Sequence, residues 1–221
     1  MKKRRIFRNL NDKEFAWVLY DVGNSAYTML ACALIPIWFK AMAIGTKPGQ
    51  LTSDRATAYY SMAIAVITIV VALLGPVCGA ISDYKGMKKI FFTSTVAVGV
   101  CGCILNGFAC QWIVFLLLFA ATKIFYNMSL MFYDSMLNDI TTEERMDEVS
   151  SYGYAWGYLG SCIPFLIALV AYVLGPDMAG IISGSLSMAI GFAVTGLWWL
   201  LVTVPLIKNY KQINYVEKKE H

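Results

Sequence analysis

An all-α membrane protein of six transmembrane helices is the fold class this chain predicts, and three observations carry the prediction. Of its 221 residues 58% are hydrophobic and only 14% are charged, and mean hydropathy is +0.60; soluble domains carry roughly 25% charged residues. Six apolar stretches joined by short polar breaks run over residues 17–43, 57–82, 90–108, 111–137, 151–175 and 180–206. Each comes to about the 20 residues that a helix needs to cross a hydrocarbon layer about 30 Å thick. The third observation is that basic residues collect on one set of alternate loops.

Fourteen of the 18 Lys and Arg residues fall on that side: six in the first 13 residues, then Lys85, Lys88, Lys89, Arg145, Lys208, Lys211, Lys218 and Lys219. Lys40, Lys47 and Arg55 fall opposite, and Lys123 lies inside a span. Basic loops stay cytoplasmic. Residues 1–16 are therefore expected to be a basic cytoplasmic N-terminus, 17–206 a transmembrane bundle, and 207–221 a cytoplasmic tail, charged and frayed. The plasma membrane is the expected location. A cleaved signal peptide is the competing reading of a basic start before an apolar run, but that run carries Asp21 and Asn24 and outlasts an h-region. The bundle consumes nearly all of the length, which leaves no room for a soluble catalytic module or a nucleic-acid partner.

In order along the chain, the first span holds Asp21, Asn24, Ser25 and Thr28 at i, i+3, i+4 and i+7, one face of a 3.6-residue helix. A charged group at the centre of a span costs about 2.5 to 3.5 kcal/mol on insertion scales, so lipid is not what that face meets. A loop over 44–56 with Gly45, Pro48 and Gly49 reads as an ordinary connector. The second span carries Gly75 and Gly79 at GxxxG spacing, which lets backbones approach. The third ends at the short break Ala109-Cys110, so it forms an antiparallel hairpin with the fourth.

The fourth span holds Lys123, Asn127, Asp134 and Asn138 at offsets 0, 4, 11 and 15, again one face, with Tyr126 and Tyr133 beside it. Lys123 and Asp134 are roughly 16 Å apart along the axis at about 1.5 Å per residue, so neither neutralises the other. Lys123 falls near mid-membrane and Asp134 at about the depth of Asp21, where two carboxylates on adjoining helices favour holding a proton between them. These polar residues are the candidate solute or ion pathway. The alternative is that the acids reach out to the interface and Lys123 meets a buried carbonyl. A polar loop is expected over 138–150.

In the fifth span Gly153, Gly157 and Gly160 are expected at a helix-packing contact. Trp198 and Trp199 in the sixth, like Trp17, Trp38 and Trp112, fall near span ends and suit the headgroup layer as anchors. The six cysteines lie in or beside apolar stretches without metal-ligand spacing, so small buried hydrophobes are expected, and no metal or cofactor.

Between the second and third spans the chain reads Gly79-Ala-Ile-Ser-Asp83-Tyr84-Lys85-Gly86-Met-Lys88-Lys89. This resembles the signature loop of the major facilitator superfamily: a Gly, three residues, an acid, then a Gly among basic residues. Tyr84 stands where a basic residue is usual. The stretches Trp17 to Tyr27, Phe125 to Asn127, Tyr133 to Leu137 and Ser150 to Tyr158 are similar to the vacuolar-effluxer-like branch of that superfamily.

The resemblance implies the N-terminal half of a major facilitator fold, six helices of a twelve-helix transporter that moves small solutes by alternating access, amino acids in the fungal relatives. It also implies that Asp83 helps hold the two halves together on the cytoplasmic side and that the substrate site lies between them. The expected partners are thus a small-molecule solute, membrane lipid and a second six-helix half, either a missing C-terminal half or another chain. A membrane-embedded enzyme would need a nucleophile with its base or a metal cluster, yet the one histidine is His221, so no enzyme is expected. A non-transporting scaffold, or a fragment without transport of its own, is the alternative, and it would not require the polar faces.

Overall fold

In the computed structural model, which describes residues 9–176 and 178–217, every regular element is helical, and the extended pairings among those residues are isolated bridges. α1 spans Asp12–Ala33, α2 Ile35–Ala43, α3 Ser53–Ser82, α4 Met87–Asn106, α5 Trp112–Ile140, α6 Met146–Val173 and α7 Gly184–Asn209. Five of these are long and apolar enough to cross a membrane alone, and the count is six if α1 and α2, bent by 40°, form one span. The bend comes where Pro36 enters the start of α2: proline has no N–H to continue the ladder, and its ring crowds the carbonyl four residues back. The basic residues of positions 1–8, together with Lys218, Lys219 and His221, lie outside the described residues.

Helix ends depart from the apolar stretches where polar residues suit a terminus. Asn11 caps α1, its side chain accepting from Lys13 N and Glu14 N at 2.9 Å each, while the Glu14 carboxylate accepts from Asn11 N at 2.8 Å. α6 starts at Met146 with Asp147 and Glu148 in its first turn, where carboxylates meet the positive end of the helix dipole. Because α5 also runs on to Ile140, most of the loop expected over 138–150 is helical. The last helix starts at Gly184 rather than 180, after a turn capped by Ser183, whose Oγ accepts from Leu186 N at 3.2 Å.

α1 is the middle of the bundle: it lies along α6 and α7 and meets α5, which in turn holds α4 and α3. Its approach to α6 depends on missing side chains. A Cβ at Gly157 would stand 3.1 Å from Asp21 Oδ2, one at Gly153 2.9 Å from the Trp17 ring, and one at Gly160 would collide with Val22. Gly75 packs near Met131 of α5, whereas a Cβ at Gly79 would meet nothing within 4 Å, so Gly75 and Gly79 do not form a shared close-approach surface within this chain.

Two expectations about side chains change. Trp17, Trp38 and Trp199 are core residues, at 4%, 6% and 0% exposure, not interfacial anchors. α7 runs to Asn209, which puts Trp199 well inside the helix, seated over Gly99 and stacked on Tyr27 at 5.8 Å. Of the cysteines only Cys103 is buried, while Cys32, Cys101, Cys110 and Cys162 are exposed. In a membrane an apolar side chain needs no protein core, because lipid covers it equally well. α3 takes this furthest: little of it is buried, and Met62, Ile69 and Leu73 are each more than half exposed.

Candidate functional site

A cavity of about 470 Å³ lies between α1, α5 and α6, nearer the end of the bundle where α1 starts and α7 ends. That volume is within the roughly 300–1,000 Å³ of small-molecule sites. The four polar residues read as one face of the first span, Asp21, Asn24, Ser25 and Thr28, all line it. α5 supplies Tyr126, Tyr133 and Asp134, and α6 supplies Ser150, Tyr154 and Tyr158.

The α1 wall is fixed by contacts to both neighbours. Asn24 is buried and donates Nδ2 to Asp21 Oδ1 at 3.2 Å, and Asp21 Oδ2 rests against the bare backbone at Gly153 and Gly157. Trp17 Nε1 donates to Tyr133 O at 3.1 Å, and the two rings stack at 4.3 Å. Tyr20 and Ser129 share a 2.7 Å hydrogen bond, and the hydroxyls of Thr28 and Tyr126 share another. Tyr133 is 3% exposed, yet its hydroxyl has no partner. Asp134, on the opposite wall, is exposed and makes no hydrogen bond or ion pair among the described residues.

Lys123 and Asn127 share the α5 face but do not line this cavity. The pairings Trp17 with Tyr133 and Thr28 with Tyr126 put Lys123 roughly 10 Å further along the bundle axis than Asp21 at about 1.5 Å per residue. Its Nζ lies 4.5 Å from the Tyr126 ring centre and 5.6 Å from that of Tyr27, so it meets π faces rather than a carbonyl. Asn138 is exposed at the α5 end. A larger cavity of about 760 Å³ at the other end of the bundle, near Trp38, Phe108 and Met188, has no charged side chain in its lining among the described residues.

The signature loop is built into a second charged cluster. Gly86 caps α4 with φ +78, a left-handed conformation that favours glycine. Asp83 ends α3 with its side chain 56% exposed, and Lys88 Nζ stands 3.7 Å from Asp83 Oδ1 and 3.8 Å from Asp139 Oδ2. The chain after α7, expected to fray, is instead pinned over this loop from Tyr210 to Val216. Asp139 accepts from Tyr210 OH at 2.5 Å, from Ile213 N at 3.2 Å and from Asn214 N at 2.7 Å. Gln212 Oε1 accepts from Gly86 N at 2.9 Å, Val216 N donates to Asp83 O at 2.8 Å, and Lys89 Nζ reaches Tyr210 O at 3.4 Å. Burial, then the Asp139 carboxylate, raise the pKa of the Tyr210 hydroxyl above the ordinary tyrosine range.

Sequence reasoning passed over Asp139, and it also missed Glu14, which is buried, pairs with Arg145 Nε at 3.2 Å and accepts from Thr141 Oγ1 at 2.8 Å. The signal for Asp139 was its place on the stripe Phe132, Met136, Asp139, at i, i+4 and i+7, all buried. Tyr154 and Tyr158 on α6, one turn apart, were legible only as part of the resemblance. No group of three or more potential metal ligands occurs among the described residues.

Residues 138–220 match the family described as vacuole effluxer Atg22 like. Over 219 residues the chain is 35% identical to the uncharacterized MFS-type transporter YxiO of Bacillus subtilis (strain 168), which covers 98% of this chain and 50% of that protein. The chain therefore spans about half the length of the curated relative it matches. No solved structure matches it.

Proposed function

We propose that this integral, multi-pass membrane protein, similar over residues 138–220 to the family described as vacuole effluxer Atg22 like and over nearly its whole length to half of an MFS-type transporter, is a member of that family and forms the N-terminal six-helix half of a secondary active transporter. Its partners in that role are a small-molecule solute, the surrounding lipid, and a second six-helix half on the same protein or on another chain. The observation that carries the reading is the wall of the cavity: Asp21, Asn24, Thr28 and Asp134 on transmembrane helices, with the Asp134 carboxylate unpaired. Ionisable groups in such a place are costly and serve a solute or ion path.

The distribution of Lys and Arg supports a cytoplasmic side for both ends of the bundle, which makes the cavity inward-facing in this reading, with the plasma membrane as the proposed location. Lys123 and Asn127 continue the path toward mid-membrane. The exposed apolar side chains of α3 and α6, Leu73 and Leu166 among them, and the Asp83 side chain offer surface to the second half. Amino acids are the solute class that the family resemblance suggests, the cavity has room for them, and amines that lack the carboxylate are the comparison to run beside them.

The test is uptake and efflux of labelled amino acids in membrane vesicles from cells that carry the gene at its native locus. Asp134→Asn and Lys123→Leu are each expected to lower flux on the order of tenfold with the protein still present in the membrane. If both variants move solute as well as the parent, the polar face carries no solute, and a non-transporting scaffold becomes the better reading.

A further inference from the structure

The charges that line the cavity are all of one sign. Asp21 and Asp134 contribute carboxylates from facing walls, and among the described residues no Lys, Arg or His is in the lining. The nearby cations are engaged elsewhere: Lys123 on the rings of Tyr27 and Tyr126, Lys88 with Asp139 and Asp83, Arg145 with Glu14. Among the described residues these two carboxylates have no counterion, so their charge is left to be met by what enters the cavity or faces it.

A second and independent feature points to the shape of that counterion. Tyr133 lines the same cavity, is 3% exposed, and has a hydroxyl without a partner. Trp17 stacks on its ring at 4.3 Å and Tyr20 packs against it at 4.6 Å, so the hydroxyl is what the side chain has left to offer. The carboxylates only accept and the phenol oxygen can accept as well as donate, so this wall suits a group rich in donors, as an ammonium is with its three hydrogens. Tyr154 and Tyr158, 67% and 70% exposed, add aromatic surface on the α6 side. Aromatic faces hold both the charge of an ammonium, through the ring quadrupole, and the apolar body that follows it. A free carboxylate on the solute would meet like charge there and no cation.

Resting on the transporter reading, we propose that the cavity between α1, α5 and α6 binds an organic cation, an ammonium group on an apolar body, in preference to a neutral or zwitterionic molecule of the same shape.

The experiment uses the full chain in lipid nanodiscs and reads binding from the fluorescence of Trp17, with a Trp17→Phe variant to assign the signal and calorimetry as a second readout. The probes are 2-phenylethylamine, 2-phenylethanol and phenylalanine, which share a body and differ in charge. The amine is expected to bind at least about tenfold more tightly than either of the others. Asp21→Asn and Asp134→Asn are each expected to remove most of that preference while thermal unfolding stays in place. Equal or tighter binding of the alcohol or of phenylalanine overturns the cation assignment and leaves the transporter reading standing. So does an amine affinity that both Asn variants retain. If no probe binds and the vesicles of the preceding section carry no flux, both readings fall together.

Discussion

Asp134 and Asp139 stand little more than one turn apart on α5 and meet opposite fates. Asp139 is 4% exposed, and its two oxygens take Tyr210 OH, Ile213 N, Asn214 N and Asn214 Nδ2, with Lys88 Nζ at 3.8 Å. Asp134 looks into a cavity with no partner at all among the described residues. A carboxylate removed from water must be given donors or it will not stay charged, and the chain supplies them to Asp139 by folding residues 210–216 back over α5. It supplies none to Asp134. The difference separates a charge that holds the structure together from one left available to something that comes and goes.

Removing each carboxylate in turn would break that distinction most directly. Asp139→Ala leaves the buried Lys88 with only the half-exposed Asp83 as a counterion and frees the segment after α7, and a loss of about 3 kcal/mol is expected, read as thermal unfolding in detergent. Asp134→Ala, by the same measurement, should stay within about 0.5 kcal/mol of the parent. Equal losses would mean that both acids are structural.

The next effect tests geometry rather than charge. Gly157→Leu places a side chain where Asp21 Oδ2 and Ser25 Oγ now stand, and wedging α1 from α6 should destabilise by about 1–3 kcal/mol while closing the cavity. Solute or probe binding should be lost with both carboxylates still present. If binding survives, the cavity is not where the solute sits.

The smallest expected change concerns Glu14, a third acid whose partner is less secluded. The Arg145 side chain is 39% exposed, and solvent screens such a pair, so Glu14→Gln should lower stability by only about 1 kcal/mol in the same unfolding assay. A loss as large as that of Asp139→Ala would show that enclosure of the counterion is not what sets the scale.

Much of the fold was legible residue by residue. Apolar length located the helices, and periodicity put Asp21, Asn24, Ser25 and Thr28 on what is one wall of the cavity. Lys123 and Asn127 were read as part of the same wet wall as Asp134, yet the helix carries them beyond the cavity, because a shared face says nothing of where along the axis a cavity begins and ends. Trp199 read as an anchor and is a core residue, since hydropathy does not tell a ring in lipid from one in protein.

By itself the sequence determined which segments leave water, how they alternate in direction, and which of their faces lipid cannot cover, because these follow from local composition and from the 3.6-residue repeat. Tertiary structure alone decided that Asp139 is enclosed and Asp134 open, that α6 brings Tyr154 and Tyr158 to the α1 wall, and that the chain after α7 is held over the 83–89 loop. Those outcomes depend on which groups, more than 70 positions apart in the case of Asp139 and Asn214, arrive side by side. The free energy of a buried charge is set by its neighbours in space, and a linear pattern does not contain them.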